Sequence, residues 1–362
     1  MEELAPAYLA LENDPVGLQV GDPGAPLEKV LVTLEVTPDV IREARESGAN
    51  LIISHHPLIF QPLTALDYRS TTGEMIKELV QGEINLFVAH SNLDIAPGGL
   101  NFVLSELLGL ESRRVLENTF QDRLLKLVVF IPQGYQEQVR DAVTSAGGGW
   151  IGNYSHCTFL AEGTGTFLPR EGTSPFEGEQ GVLEEVKEYR METVFPVSLQ
   201  RGVLEALQES HPYEEPAYDL YTLEREGKKL GLGSVGELPA SLTLGELAQK
   251  CKENLGVKGV KVRGDLHREI KTVAVCGGSG SGLIGRAVKE GVDVFISGDL
   301  KHHDVQEGCQ QGLALIDAGH CGTEKPVVGY LVEFLRERLQ VEGCTREVRA
   351  SSMRELGGDW FV

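Results

Sequence analysis

Residues 44–54 read ARESGANLIIS and residues 287–297 read AVKEGVDVFIS, and laying one over the other decides the fold. In each, the end of an amphipathic helix runs into a glycine, Gly48 or Gly291, which marks a helix stop. An apolar run follows, read as a buried strand, and it closes on Ser54 or Ser297, six residues after the glycine in both copies. A histidine pair then appears in each: His55-His56 directly, and His302-His303 after Gly298-Asp299-Leu300-Lys301. Repetition of one helix–strand unit predicts two related α/β halves.

Working outward, residues 29–36 (KVLVTLEV) read as a strand, and 37–48 as a helix with Thr37 as N-cap, Pro38 in its first turn and Gly48 at its end. TTGEMIKELVQGE (71–83) is a second helix and INLFVAH (84–90) a third strand. At the far end KTVAVC, VDVFIS and GLALIDAGH are strands, with the helix GLIGRAVKEG between the first two. The middle has another order. LKLVVFIP, CTFLAEGTGTFLP, EVKEYRMETVFP and AYDLYTLE are strand-like, and YQEQVRDAVTSAG and LQRGVLEALQES are helical. That order is β-α-β-β-α-β, the ferredoxin-like plan. The expectation is an α/β domain in two halves, 1–123 and 229–362, with a ferredoxin-like α+β domain inserted at 124–228. EREGKKLGLGSVGELP reads as a turn-rich return to the main domain.

The chain has 362 residues, 41% hydrophobic and 24% charged, with a formal net charge of -21. That charge argues against a nucleic-acid or anionic-membrane binder, which needs a basic face. The six cysteines are scattered without C-x-x-C spacing, as expected of reduced thiols in a cytoplasmic protein. The first residues lack a signal-peptide pattern, and no apolar run approaches the roughly 20 residues that span a bilayer.

Three clusters could carry chemistry. His55-His56, His90 with Asp94, and His320 with Glu324 each follow a predicted buried strand. Strand C-termini of an α/β sheet share one edge, where ligand sites form, so the clusters are expected to converge. The i, i+4 spacing puts His320 and Glu324 on one face of a helical turn. Imidazole and carboxylate without thiolate suit zinc, iron, manganese or cobalt. Such a set exceeds the needs of one tetrahedral zinc. Adjacent residues on a strand face opposite ways, so His55 and His56 are expected to serve two ions with a carboxylate between them. Such pairs sit about 3.5–4 Å apart and activate water.

Other motifs carry less. Gly280-x-Gly282-x-x-Gly285 with Asp299 meets the formal dinucleotide fingerprint. The matching turn in the first half, LEVTPDV, has no glycine, so the turn is read as scaffold and no nucleotide cofactor is expected. HPYEEPAYD (211–219) is read as a rigid loop, and Cys321 as a small filler.

At these residues the sequence resembles the NIF3-like family, also known as GTP cyclohydrolase 1 type 2 homologues. The resemblance rests on DPVGLQVGD, LEVTPDVIREARESGANLIISHHPLIF, AHSNLDIAPGGLN, HPYEEPAYD, GLGSVGELP, GDLKHHD and DAGHCGTEKPVV. It implies two divalent metal ions per chain, zinc foremost. His56 and Asp94 would hold one, His55 and His320 the other, and Glu324 would bridge them. It implies a homohexamer, a toroid of trimers, and an insert resembling the PII/CutA group. Glu35 stands where that family has Asp, Ser91 where it has Thr, and His302 where an aromatic is common.

The activity so implied is hydrolysis by metal-activated water, with GTP as substrate, opened at its imidazole ring. His303, beyond a strand on the same edge and outside the ligand set, is read as the acid, and His90 as an orienter of Asp94. A phosphoester or amide hydrolase would use the same metals. A non-catalytic metal- or ligand-binding regulator is the alternative.

Overall fold

The structure, a computed structural model, describes residues 1–353; the expected second half, 229–362, runs past them at 354–362. The chain divides into two compact units, Met1–Phe120 together with the chain from Leu230, and Gln121–Lys229.

The first unit is built on two sheets with parallel centres. One has the order Gly17–Val20, Asn85–Val88, Leu51–Ser54, Lys29–Thr33, Glu347–Ala350. Its last four strands are parallel and Gly17–Val20 is antiparallel to its neighbour. In the other, Glu269–Ser279, Val294–Gly298 and Ala314–Asp317 run parallel. Tyr218–Thr243 and Lys261–Arg263 flank them antiparallel. Alternation explains why both faces are covered. Leu31, Ile52 and Leu86 pack with Val40, Ile41 and Leu79 of the helices Pro38–Ser47 and Thr71–Gln81. Val30, Val32 and Ile53 turn the other way, onto Val327, Leu331 and Val332 of the helix Pro326–Val341. The second sheet repeats this, Phe295 lying with Ile284 and Ala287, and Ile296 with Leu244 and Leu247.

The aligned stretches are structural equivalents. Gly48 and Gly291 both cap their helices in the left-handed region, at φ 72° and 69°. Six residues on, Ser54 and Ser297 are both fully buried at the ends of parallel strands. Thr37 accepts a hydrogen bond from the Val40 amide as the expected N-cap.

One expectation fails. The stretch read as turn-rich, EREGKKLGLGSVGELP, lies inside a single strand, Tyr218–Thr243. Its glycines permit close strand approach instead of turning the chain. A Cβ on Gly231 would lie 1.8 Å from the Glu117 carbonyl oxygen, and one on Gly227 2.3 Å from that of Asp122.

The second unit has the order strand, helix Gln136–Ser145, strands Thr158–Phe167 and Glu184–Pro196, helix Gln200–Ser210, strand. The outer members are Glu111–Pro132 and Tyr218–Thr243. The four strands lie in the order second, third, first, fourth, the split βαβ plan. Leu127, Val129, Ile131, Met191 and Phe195 of the strands pack on Val139, Val143, Val203 and Leu207 of the helices. Among the described residues no helix is long and apolar enough to cross a membrane.

Candidate metal centre

Each candidate ligand in the first unit sits just past the C-terminal end of a parallel strand. His55 and His56 follow Leu51–Ser54, and their amides extend the ladder onto the carbonyls of Thr33 and Leu34. Asp94 lies in the short helix Ser91–Ile95 after Asn85–Val88. His320 and Glu324 begin and end the helix His320–Glu324 after Ala314–Asp317. Both sheets therefore feed one site.

Glu324 is its centre. The carboxylate is buried, with Oε1 3.1 Å from His320 Nε2 and 3.6 Å from His55 Nε2, and Oε2 3.0 Å from His56 Nε2. Asp94 Oδ1 is 3.6 Å from His55 Nε2. His55 Nδ1 is 2.8 Å from the Ala89 carbonyl oxygen. A carbonyl only accepts, so Nδ1 carries a proton and Nε2 is the nitrogen turned to the two carboxylates.

The ring centroids of His55 and His56 are 5.1 Å apart, so both rings reach one centre. Strand alternation does not apply to them because the strand ends at Ser54. Contacts join His55 to Asp94, and His56 to His320, with Glu324 touching His55, His56 and His320. Among the described residues, two donor groups are compact enough for one ion: His56 with His320 and Glu324, and His55 with His56 and His90. His303 is in neither. It is exposed in the first turn of the helix His302–Gln310, its ring against that of His302. The hydrogen bond of the His90 ring goes from Nδ1 to Asp14 Oδ1 at 2.8 Å.

Burial and charge set the titrations. Burial opposes ionisation of Glu324, but the surrounding imidazoles outweigh it and hold the carboxyl well below its usual range. Burial pushes Asp94 up to about 6 against the attraction of His55. Burial works against a charge on His56 too, yet Glu324 and Glu35 raise it to about 10. Glu324 lifts His320 to about 9 despite partial burial.

The donors fit a metal. His55 Nε2, Asp94 Oδ1 and Glu324 Oε2 are buried and make no hydrogen bond of good geometry, although His56 Nε2 stands 3.0 Å from Glu324 Oε2. Each such atom costs about 1–3 kcal/mol, and a divalent cation among them would satisfy all three. Nitrogen and carboxylate donors without sulfur are the set expected for zinc, iron, manganese or cobalt.

Several residues around the donors were not legible as site residues. Asp299, which completes the formal dinucleotide fingerprint, accepts from His320 Nδ1 at 2.8 Å. Glu35 Oε1 lies 3.6 Å from His56 Nδ1. Asn101 donates to the Asp94 carbonyl and accepts from the Gly277 amide. Thr323 accepts from the Gly278 amide, tying the glycine-rich loop to the ligand helix. Gly280 has a packing role as well: its Cβ would fall 2.0 Å from Ser297 Oγ, and Gly282 and Gly285 face open space. Cys321 packs against the core, as a filler should.

Residues 1–355 match the sequence profile of Duf34/NIF3 (NGG1p interacting factor 3). The chain belongs to this family. A GTP cyclohydrolase 1 type 2 homologue of Halalkalibacterium halodurans is 43% identical over 352 residues, 97% of this chain and 94% of that protein. The Bacillus subtilis protein of the same name is 43% identical over 362 residues, 100% of this chain and 93% of its own length. The crystal structure of a Bacillus cereus protein related to NIF3 matches with a TM-score of 0.92 at 42% identity, covering 100% of this chain and 96% of that one. The Duf34/NIF3 fold of this chain is thus the mixed α/β architecture described above.

Proposed function

We propose that this Duf34/NIF3 chain is a dinuclear metal-dependent hydrolase. The observation that carries the reading is the convergence of buried donor atoms of His55, Asp94 and Glu324 that make no hydrogen bond of good geometry. His55 and Asp94 would hold one ion, His56 and His320 the other, and Glu324 both. Two divalent ions there would supply Lewis acidity and make water nucleophilic near neutral pH.

The chain's own groups have separable tasks. Asp299 and the Ala89 carbonyl fix the orientation of His320 and His55. His55 and Glu324 are buried, whereas His56 and His320 keep 21% and 32% of their side chains exposed. A substrate therefore reaches the centre from the His56–His320 side, where Glu35 stands within reach as a proton carrier. The name carried by the relatives makes GTP the first substrate to try. His303 belongs in the same trial as the acid, although it is exposed on another helix. Zinc is the first metal to test. We further read the protein as cytoplasmic, in keeping with its free cysteines. We also read it as a homohexamer, which light scattering would test.

A second reading, a ligand-binding regulator, draws on a cavity of about 670 Å³ in the Gln121–Lys229 unit. Phe130, Phe167, Phe176 and Tyr213 line it, with Glu188 and Arg190.

The test is metal analysis after reconstitution, then turnover of GTP and a panel of phosphoesters by wild type and Glu324→Ala. Two ions per chain, with turnover abolished in the variant, support the hydrolase. Two ions without turnover of any substrate would favour the regulator. Fewer than two ions per chain would end the dinuclear reading.

A further inference from the structure

We infer that His90 is itself a metal ligand, the first-half counterpart of His320, and that Asp14 holds it in the ligating tautomer. The inference rests on the dinuclear reading above. The two halves of the unit carry the same device. In the first, His90-x-x-x-Asp94 follows the parallel strand Asn85–Val88; in the second, His320-x-x-x-Glu324 follows Ala314–Asp317. His90 sits at the N-cap of the short helix Ser91–Ile95 and His320 opens the short helix His320–Glu324, with the carboxylate four residues after the imidazole in both.

The surroundings of the rings agree as well. His320 Nδ1 lies 2.8 Å from Asp299 Oδ2, and His90 Nδ1 lies 2.8 Å from Asp14 Oδ1. His55 follows the same rule with a carbonyl partner at 2.8 Å. An acceptor on Nδ1 leaves Nε2 as the lone-pair donor, the outer-shell pattern typical of metal-bound histidine. The placement is suitable, since donor atoms of His55, His56 and His90 all lie within 4.8 Å of one another. The His90 ring centroid is 5.3 Å from that of His55.

Asp14 is fixed for this task. Its side chain is only 8% exposed, and its Oδ2 accepts from both the amide and the hydroxyl of Ser91. Burial raises the cost of a charge there, which the hydrogen bonds from His90 and Ser91 offset. His90 would thus join His55 and Asp94 around the first ion, as His320 joins His56 around the second.

The test loads cobalt(II) into wild type, His90→Ala, His90→Gln and Asp14→Asn. It follows stepwise binding by chelator competition and the visible absorption of the bound ions, with circular dichroism as a check on folding. Either His90 variant should weaken one of the two ions at least tenfold and change its absorption bands, leaving the other ion as in wild type. Asp14→Asn should weaken the same ion by about 10–100-fold. If His90→Ala misfolds, His90→Gln decides. Folded variants that bind both ions with wild-type affinity and spectrum overturn the His90 assignment alone. Wild type that fails to bind two ions overturns the dinuclear reading along with it.

Discussion

Gly278 makes room for Glu324: a Cβ at residue 278 would lie 2.3 Å from Glu324 Oε1. The same residue sits at φ 66°, in the left-handed region, where a side chain costs about 1–2 kcal/mol. Gly278→Ala is therefore expected to lower the melting temperature and to displace the carboxylate common to three imidazoles. Metal content per folded chain should drop well below that of wild type. A variant that retains full metal content would show that the carboxylate can shift without loss.

Asp299 holds His320 from an exposed position, with 58% of its side chain accessible. Asp299→Asn should leave thermal stability nearly unchanged. It should weaken metal binding by about 10–100-fold through loss of the orienting carboxylate. Chelator competition reads the effect, and a change under twofold would contradict it.

Glu43 closes the C-terminal strand onto the first helix. It accepts from Arg349 Nη2 at 3.1 Å, the Ser351 hydroxyl at 2.5 Å, and the amide and hydroxyl of Ser352. Burial opposes its ionisation, but these bonds prevail and hold the carboxyl below its ordinary 4.5. A depressed folded pKa stabilises above the unfolded value and is lost as pH falls through the folded one. The stability gap between wild type and Glu43→Gln should be constant above about pH 5.5 and shrink below about pH 4.5. Urea titrations across that range measure it. A gap that widens on acidification would reverse the assignment.

Thr37 begins the helix that leads to the histidine pair, and its hydroxyl accepts from the Val40 amide at 3.2 Å. Thr37→Ala should cost about 0.5–2 kcal/mol, the range of capping losses. Chemical denaturation checks the size, and metal binding should persist in the folded variant.

The candidate ligands were legible because each follows an apolar run, and parallel strands leave their C-termini on one edge. The duplication was legible because a left-handed glycine and a buried serine recur at fixed spacing. The contact of His55 with Asp94 was not, because strand alternation says nothing about residues beyond Ser54. Asp14 and Glu35 lie on loops whose path depends on packing between distant segments. Gly227 and Gly231 were misread because glycine marks a turn and a close strand approach with the same letter.

The centre draws His55, His56 and Asp94 from one sheet, and His320 and Glu324 from the other, with the whole Gln121–Lys229 unit between them in the chain. A ribosome making this chain therefore releases the first three donors long before the last two. No nascent or truncated first half can assemble the full donor set, which comes together only in a nearly finished molecule.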